Sequence, residues 1–85
     1  MTDKGPVFSP CSQMDLRSAA TKAALDIAKE MEARGEAGGA KYNTIRQQET
    51  DRFLAFGKDM QEKGVCEPMP YAALKAAVDE FTKGG

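Results

Sequence analysis

The stretch that decides the fold is Tyr42–Lys63, which reads YNTIRQQETDRFLAFGKDMQEK. Phe53, Phe56 and Met60 repeat at intervals of three and four residues, and Tyr42 and Ile45 lie about two to three turns earlier on the same side. This period is that of one face of an α-helix. Because such an apolar stripe must be covered, the helix needs a partner in this chain or in another molecule.

A second helix is predicted before this stretch. Ser12 followed by Asp15 resembles a capping box with Asp in place of the usual Glu. From there to about Arg34 the residues are good or tolerable helix formers, and the glycine cluster at residues 35–39 predicts the end of the helix and a flexible turn. The cluster lacks the Lys-Ser/Thr of a phosphate-binding loop.

The central helix is predicted to begin at Thr44, where Gln47 would complete a second capping box, or one turn earlier. Gly64 predicts its end. A third helix is predicted from Pro70 to about Lys83, because proline suits the first helical turn. Its apolar residues recur at helical spacing, so it also has one apolar face.

Together these helices predict an all-α fold, a small up-down-up three-helix bundle. Pro6 and Pro10 disfavour helix before residue 12. We therefore expect an extended N-terminal arm over residues 1–11 and a single helical domain over residues 12–85. The predicted core consists of Leu16, Ile27, Met31, Ile45, Phe53, Phe56, Met60, Leu74, Val78 and Phe81.

Composition excludes several classes of function. Twelve basic residues balance thirteen acidic ones for a net charge of −1, which gives no attraction to nucleic acid or anionic lipid. The chain has no histidine, which removes Ser/His/Asp triads and most zinc sites. We expect no enzymatic activity, no cofactor and no metal. No signal-peptide or membrane-spanning pattern is visible, so a cytoplasmic location is expected.

Cys11 and Cys66 each precede a predicted helix, and in an up-down-up bundle these two helices begin at the same end. The two sulfurs could therefore be neighbours. Since the predicted location is reducing, two separate thiols are the favoured state, with a disulfide and a metal or catalytic pair as alternatives. A thiol near a helix N-terminus has a lowered pKa, which makes both cysteines candidates for redox chemistry.

Glu49 interrupts the apolar stripe of the central helix. A carboxylate placed there is desolvated unless a cation meets it. The first alternative is an exposed helix edge or an ion pair with Arg17, Arg46 or Arg52. The second is a buried polar contact that specifies a partner.

These observations predict a small non-enzymatic protein-binding module of the adaptor, antitoxin or inhibitor type. Apolar residues outside the predicted core are the expected contacts. Together with Glu49 they are Phe8, Met14, Leu25, Tyr42 and Met69. The partner is another protein of unspecified identity, and a homodimer is a further option.

Two other functions compete with this prediction. The first is a dimeric DNA-binding regulator, which the mixed charges on the helices disfavour. The second is a thiol-based redox-responsive protein.

Overall fold

A computed structural model describes residues 6–36 and 39–84, and it confirms the all-α, three-helix fold. The helices are α1 (Gln13–Ala33), α2 (Gly39–Lys63) and α3 (Tyr71–Gly84). Two short strands, β1 (Val7–Phe8) and β2 (Met69–Pro70), pair antiparallel and join the N-terminal arm to the segment before α3. The sequence did not predict this strand pair, and residues 1–5 of the predicted arm lie outside the described residues.

The start of α1 forms half of the predicted capping box. The Ser12 hydroxyl accepts a hydrogen bond from the backbone N–H of Asp15 at 3.2 Å. The Asp15 carboxylate accepts from the backbone N–H of Ser9 at 2.9 Å instead of from Ser12. Asp15 therefore also holds the arm against the first turn of α1.

Glycines end both long helices as predicted. Gly35 and Gly64 adopt left-handed backbone conformations with φ of 78° and 75°. The backbone N–H that follows each glycine reaches back to a carbonyl five residues earlier, Glu36 to Met31 at 2.8 Å and Val65 to Met60 at 2.9 Å. This pattern closes the last turn of a helix.

The predicted start of α2 at Thr44 is wrong, and the earlier alternative is closer to the structure. α2 begins at Gly39, so Thr44 lies inside the helix. Its hydroxyl donates to the carbonyl of Ala40 at 3.1 Å rather than capping a terminus. Side-chain hydroxyls bond to the preceding turn in this way within helices, which is why the Ser/Thr signal was misleading.

α1 and α2 form an antiparallel hairpin with two unlike halves. Leu16, early in α1, lies against Gly57, late in α2, whereas Met31 and Tyr42 line the same cavity at the other end. We call residues 13–24 and 49–63 the proximal half, and residues 25–36 and 39–48 the distal half. All buried residues of the hairpin lie in the proximal half: Leu16, Ala19, Ala20, Ala23, Ala24, Glu49, Phe53, Phe56 and Gly57.

α3 completes the core over the proximal half only. Its buried residues Leu74 and Val78 join the same hydrophobic cluster as Leu16 and Phe53. With 14 residues, α3 is about 21 Å long, whereas the 25 residues of α2 extend about 37 Å. The third helix is therefore too short to cover the whole hairpin.

This difference in length corrects the predicted core. Leu16, Phe53, Phe56, Leu74 and Val78 are buried as predicted. The other five predicted core residues are Ile27, Met31, Ile45, Met60 and Phe81, and none of them is fully buried. Three of these, Ile27, Met31 and Ile45, lie in the distal half, where no third helix covers them.

Candidate functional site

Two shallow cavities lie side by side on the distal half. The first has a volume of about 330 Å³, and Leu25, Ala28, Met31 and Tyr42 supply its apolar walls. The second has a volume of about 310 Å³ and is lined by Met31, Ala40, Lys41, Thr44 and Ile45. The two cavities share Met31, and together we call them the distal groove.

Charged residues of both signs also line the distal groove. Lys29, Glu32 and Glu36 line the first cavity, and Lys41 lines the second. Within the described residues, none of these four side chains forms an ion pair with another. Their charges remain available to a molecule that docks in the groove.

Two of the six predicted contact residues, Leu25 and Tyr42, lie in the distal groove. Leu25 is 45% exposed. Met14 is 77% exposed but lies in the proximal half of α1, away from the groove. Phe8 and Met69 face each other across the strand pair and pack against the protein's own core.

Glu49 is an internal residue. It is only 5% exposed, and its Oε2 atom accepts a hydrogen bond from the Arg52 guanidinium at 2.7 Å. Oε1 is buried and has no hydrogen-bond partner among the described residues. An ion pair with Arg52 was one part of the first alternative for Glu49, and the exposed helix edge was the other. The prediction that Glu49 contacts a partner does not fit this burial.

Arg52 links α2 to α3. Besides Glu49, its guanidinium bonds to the Asp79 carboxylate, and its Nε donates to the Thr82 hydroxyl at 3.1 Å. Lys75 donates to Asp79 from the preceding turn of α3 at 3.0 Å. Burial acts to raise the pKa of Asp79, but the hydrogen bonds and charges of Lys75 and Arg52 outweigh it and lower that pKa.

The first residue of α3, Tyr71, packs between the arm and α1. Its ring meets that of Phe8 edge to face at 6.3 Å between centroids, and the Lys22 ammonium lies 5.1 Å from its centroid. Burial, with the negative charges of Asp26, Glu49 and Asp79, raises the pKa of Tyr71 to about 12. These contacts secure α3 on the proximal half.

Cys11 and Cys66 form a disulfide, with 5.2 Å between their Cα atoms. The two cysteines are neighbours, as the order of the helices allowed, and the preference for two separate thiols is wrong. The preference rested on the expected compartment, whereas the extended arm brings Cys11 directly to the loop between α2 and α3. The disulfide links two residues that are 55 positions apart in the sequence. Cys66 is exposed to solvent.

Sequence reasoning missed that Met31 and Ile45 are surface residues, because both lie on the apolar stripes of their helices. The signal that could have identified them was the predicted length of the third helix. A helix from residue 70 to about 83 cannot cover partners of roughly 20 residues each. Some apolar positions of the longer helices had to stay uncovered.

Nothing in the described residues indicates a metal centre or a membrane span. Residues 6–36 and 39–84 contain no group of three or more Cys, Asp or Glu placed to hold a metal ion. None of the helices in this part of the chain is both long and apolar enough to cross a bilayer.

These features define a small all-α protein with a disulfide-linked arm and an uncovered helical hairpin end. No protein-family model, no curated protein and no solved structure matches the chain. Its function is therefore inferred from its own geometry.

Proposed function

We propose that this chain is a small non-enzymatic protein-binding module, of the adaptor, antitoxin or inhibitor type, that docks through its distal groove. One observation carries the proposal. Among the described residues of the distal half, none is fully buried, although several are large and apolar. They include Leu25, Ile27, Met31, Tyr42 and Ile45.

An apolar helix stripe is stable when another layer covers it, and α3 supplies that layer only to the proximal half. Each large side chain taken out of water contributes roughly 1.5–3 kcal/mol. A partner that covers the distal groove therefore gains free energy that the isolated chain leaves unused.

The composition of the groove suits a protein partner better than a small polar molecule. Leu25, Met31 and Tyr42 are side-chain types that form the apolar centre of interfaces, and the unbranched Met31 can adapt to a partner's shape. Charged residues line the same cavities and can serve as the polar part of such an interface. Catalysis is disfavoured because the anomalous carboxylate, Glu49, is buried and ion-paired.

Site-specific photo-crosslinking tests the proposal. A benzophenone side chain is placed at Ala28 in the groove or, as the matched control, at Ala55, which is exposed on the proximal part of α2. Both variants are irradiated in the cells that produce the protein. We expect a discrete adduct from position 28 that Met31→Glu removes, and none from position 55. Equal labelling from both positions, or none from either, would contradict docking through the groove.

The disulfide supports a second candidate function, a redox-responsive protein. Cys66 is exposed, so a dithiol can attack the bond. The S–S bond then breaks, each cysteine sulfur gains a proton, and the dithiol is oxidised to its own disulfide. The arm would lose its covalent attachment to the loop before α3.

A redox role predicts different behaviour of the two states. After treatment with dithiothreitol, backbone amides of the arm should exchange faster with solvent, and crosslinking from position 28 should change. The electrophoretic mobility difference between oxidised and reduced protein should disappear in Cys66→Ala. If crosslinking is the same in both states, the disulfide is structural only.

Two further predictions concern the location of the protein and DNA binding. A cytoplasmic location is still a prediction, and the disulfide is more typical of oxidising compartments. DNA binding stays the other alternative. A gel shift on random duplex DNA at low salt tests it, since phosphate contacts would give non-specific binding there.

A further inference from the structure

We infer that a cavity beside the Cys11–Cys66 disulfide binds a small acidic thiol and directs its sulfur onto Cys11. Such binding goes beyond docking through the distal groove, and it rests on the second candidate function, a redox-responsive protein. Three observations support it: the position of the cavity against the disulfide, the packing that fixes Cys11 there, and the polar residues that line the cavity.

The cavity has a volume of about 400 Å³, and residues of the arm, α1 and α2 line it. We call it the disulfide cavity. Leu16, Leu54 and Gly57 supply its apolar part. Of the two bonded cysteines, Cys11 is among the lining residues and Cys66 is not. A molecule in the cavity therefore meets the Cys11 end of the disulfide.

The packing of the arm fixes Cys11 at this cavity. Pro10 is fully buried, and a Cβ atom on Gly57 would lie 2.6 Å from its carbonyl oxygen. Because glycine has no Cβ, the arm packs directly on the backbone of α2 at this point. Cys11 follows Pro10 in the chain and Lys58 follows Gly57, so the two lining residues come from segments that are in close contact.

The polar lining suits a small acidic thiol. Lys58 supplies a positive charge and forms no ion pair with another described residue, and none of the residues that line the cavity is Asp or Glu. Gln13 and Gln61 supply amides that can bond to a carboxylate or a peptide group. The volume lies within the roughly 300–1,000 Å³ of typical small-molecule sites. Lysine therefore selects a carboxylate, and the disulfide selects a thiol.

The reaction is one step of thiol–disulfide exchange. The thiolate sulfur of the bound molecule attacks the sulfur of Cys11 and forms a new S–S bond with it. The bond between Cys11 and Cys66 breaks, and its electron pair goes to the sulfur of Cys66, which takes up a proton and becomes a thiol. The bound molecule is then joined to Cys11, and no other oxidant or reductant takes part.

A thiol that does not bind in the cavity should react at the other cysteine. Cys66 is exposed, whereas Cys11 is half-buried. Cys11 also precedes the N-terminus of α1, which stabilises a thiolate that leaves from Cys11. Such a thiol should therefore attack Cys66 and release Cys11. The cysteine that carries the added molecule thus reports whether the cavity has directed the reaction.

The first test locates the mixed disulfide. The oxidised protein reacts either with glutathione, a negatively charged peptide thiol, or with 2-mercaptoethanol, an uncharged one. Acid stops the exchange by protonating thiolates, and peptide mapping by mass spectrometry locates the adduct. We expect glutathione on Cys11 and 2-mercaptoethanol on Cys66. Glutathione on Cys66, or the same distribution for both thiols, would overturn the inference.

The second test measures the rate of disulfide loss, which does not require the mixed disulfide to accumulate. Lys58→Gln should slow the reaction with glutathione about three-fold to five-fold and leave that with 2-mercaptoethanol unchanged. The matched control is Lys41→Gln, at an exposed position of the same helix whose lysine forms no ion pair with another described residue. It should leave both rates unchanged. Equal effects of the two changes on the glutathione rate, or none from Lys58→Gln, would also contradict binding in the cavity.

These outcomes separate thiol binding from the functions proposed above. If dithiothreitol changes crosslinking from position 28, but glutathione is found on Cys66, the redox role stands and the disulfide cavity is not a thiol site. If crosslinking is the same in both states while glutathione is found on Cys11, the cavity binds a thiol and redox control of docking fails.

Discussion

The proximal and distal halves of the α1–α2 hairpin belong to the same two helices and differ in almost every structural respect. In the proximal half, Leu16 and Phe53 are at most 2% exposed beneath α3. In the distal half, Met31 and Ile45 remain partly exposed on the same stripes. The hydrophobicity of a residue therefore does not decide its burial here, and the presence of a third layer does.

The elements that secure α3 all act on the proximal half. The disulfide ties the arm to the loop before α3, and the carbonyl of Pro6 accepts from the backbone N–H of Tyr71 at 3.0 Å. Arg52 and Asp79 join α2 to the far end of α3. We expect the proximal half to supply the stability of the monomer and the distal half to supply its binding surface.

Removing the disulfide should have the largest effect on stability. Cys11→Ser combined with Cys66→Ser removes the cross-link between two residues that are 55 positions apart in the sequence. Chain entropy predicts that the free energy of unfolding falls by about 4 kcal/mol. Urea unfolding followed by circular dichroism measures the change, with reduction of the unaltered protein as the control. A loss below about 1 kcal/mol would mean that strand pairing and Tyr71 contacts already fix the arm.

Matched leucine truncations compare the halves directly. Leu74→Ala removes a fully buried side chain of the proximal core and should lower the free energy of unfolding by about 3 kcal/mol. Leu25→Ala, at 45% exposure in the distal half, should change it by less than about 0.5 kcal/mol at concentrations where the chain is monomeric. Similar losses from both would show that the distal half is packed as tightly as the proximal half.

The sequence predicted the proximal half better than the distal half, for a physical reason. Helical periodicity identifies which face of a helix is apolar, and it correctly placed Phe53, Leu74 and Val78 in the core. Periodicity does not show how far a covering helix extends. Met31 and Ile45 were therefore assigned to the core although they line the distal groove.

Contacts between segments far apart in the sequence were the other feature that local sequence patterns could not predict. The strand pair and the disulfide join segments about 55 or more residues apart, and their formation depends on the path of the arm. Glu49 shows a partial success, because Arg52 was among its named partners, whereas the exposed helix edge that was offered beside the ion pair is not what the structure shows. The link from Arg52 to Asp79 required the placement of α3.

Gly57 offers a smaller test of proximal packing. A Cβ atom there would lie 2.6 Å from the carbonyl oxygen of Pro10, a backbone atom beside the disulfide, and would also clash with Leu16. Gly57→Ala gains about 1 kcal/mol of helix propensity but forces the arm away from α2. We expect a net loss of about 1–2 kcal/mol by urea unfolding. The distal control Gly39→Ala meets no atom within 4 Å and should not destabilise the protein.

The smallest expected difference concerns the ion pairs of α3. Lys75 and Arg52 lower the pKa of Asp79 below its ordinary value of 3.8, so the ionised carboxylate stabilises the folded state above about pH 4. This contribution is lost as the pH falls through the lowered pKa, because the folded state must then bind the proton too. Since the Asp79 side chain is 43% exposed, solvent limits the contribution to less than about 1 kcal/mol.

Urea unfolding of Asp79→Asn and of the unaltered protein between pH 7 and pH 2 measures this contribution. Their difference should be largest near pH 7 and should shrink below pH 4, where the unaltered carboxylate becomes neutral as well. Glu32→Gln in the distal half is the matched control, because Glu32 forms no ion pair with another described residue. If both changes give the same pH profile, the ion pairs do not distinguish the halves, and apolar packing alone secures α3.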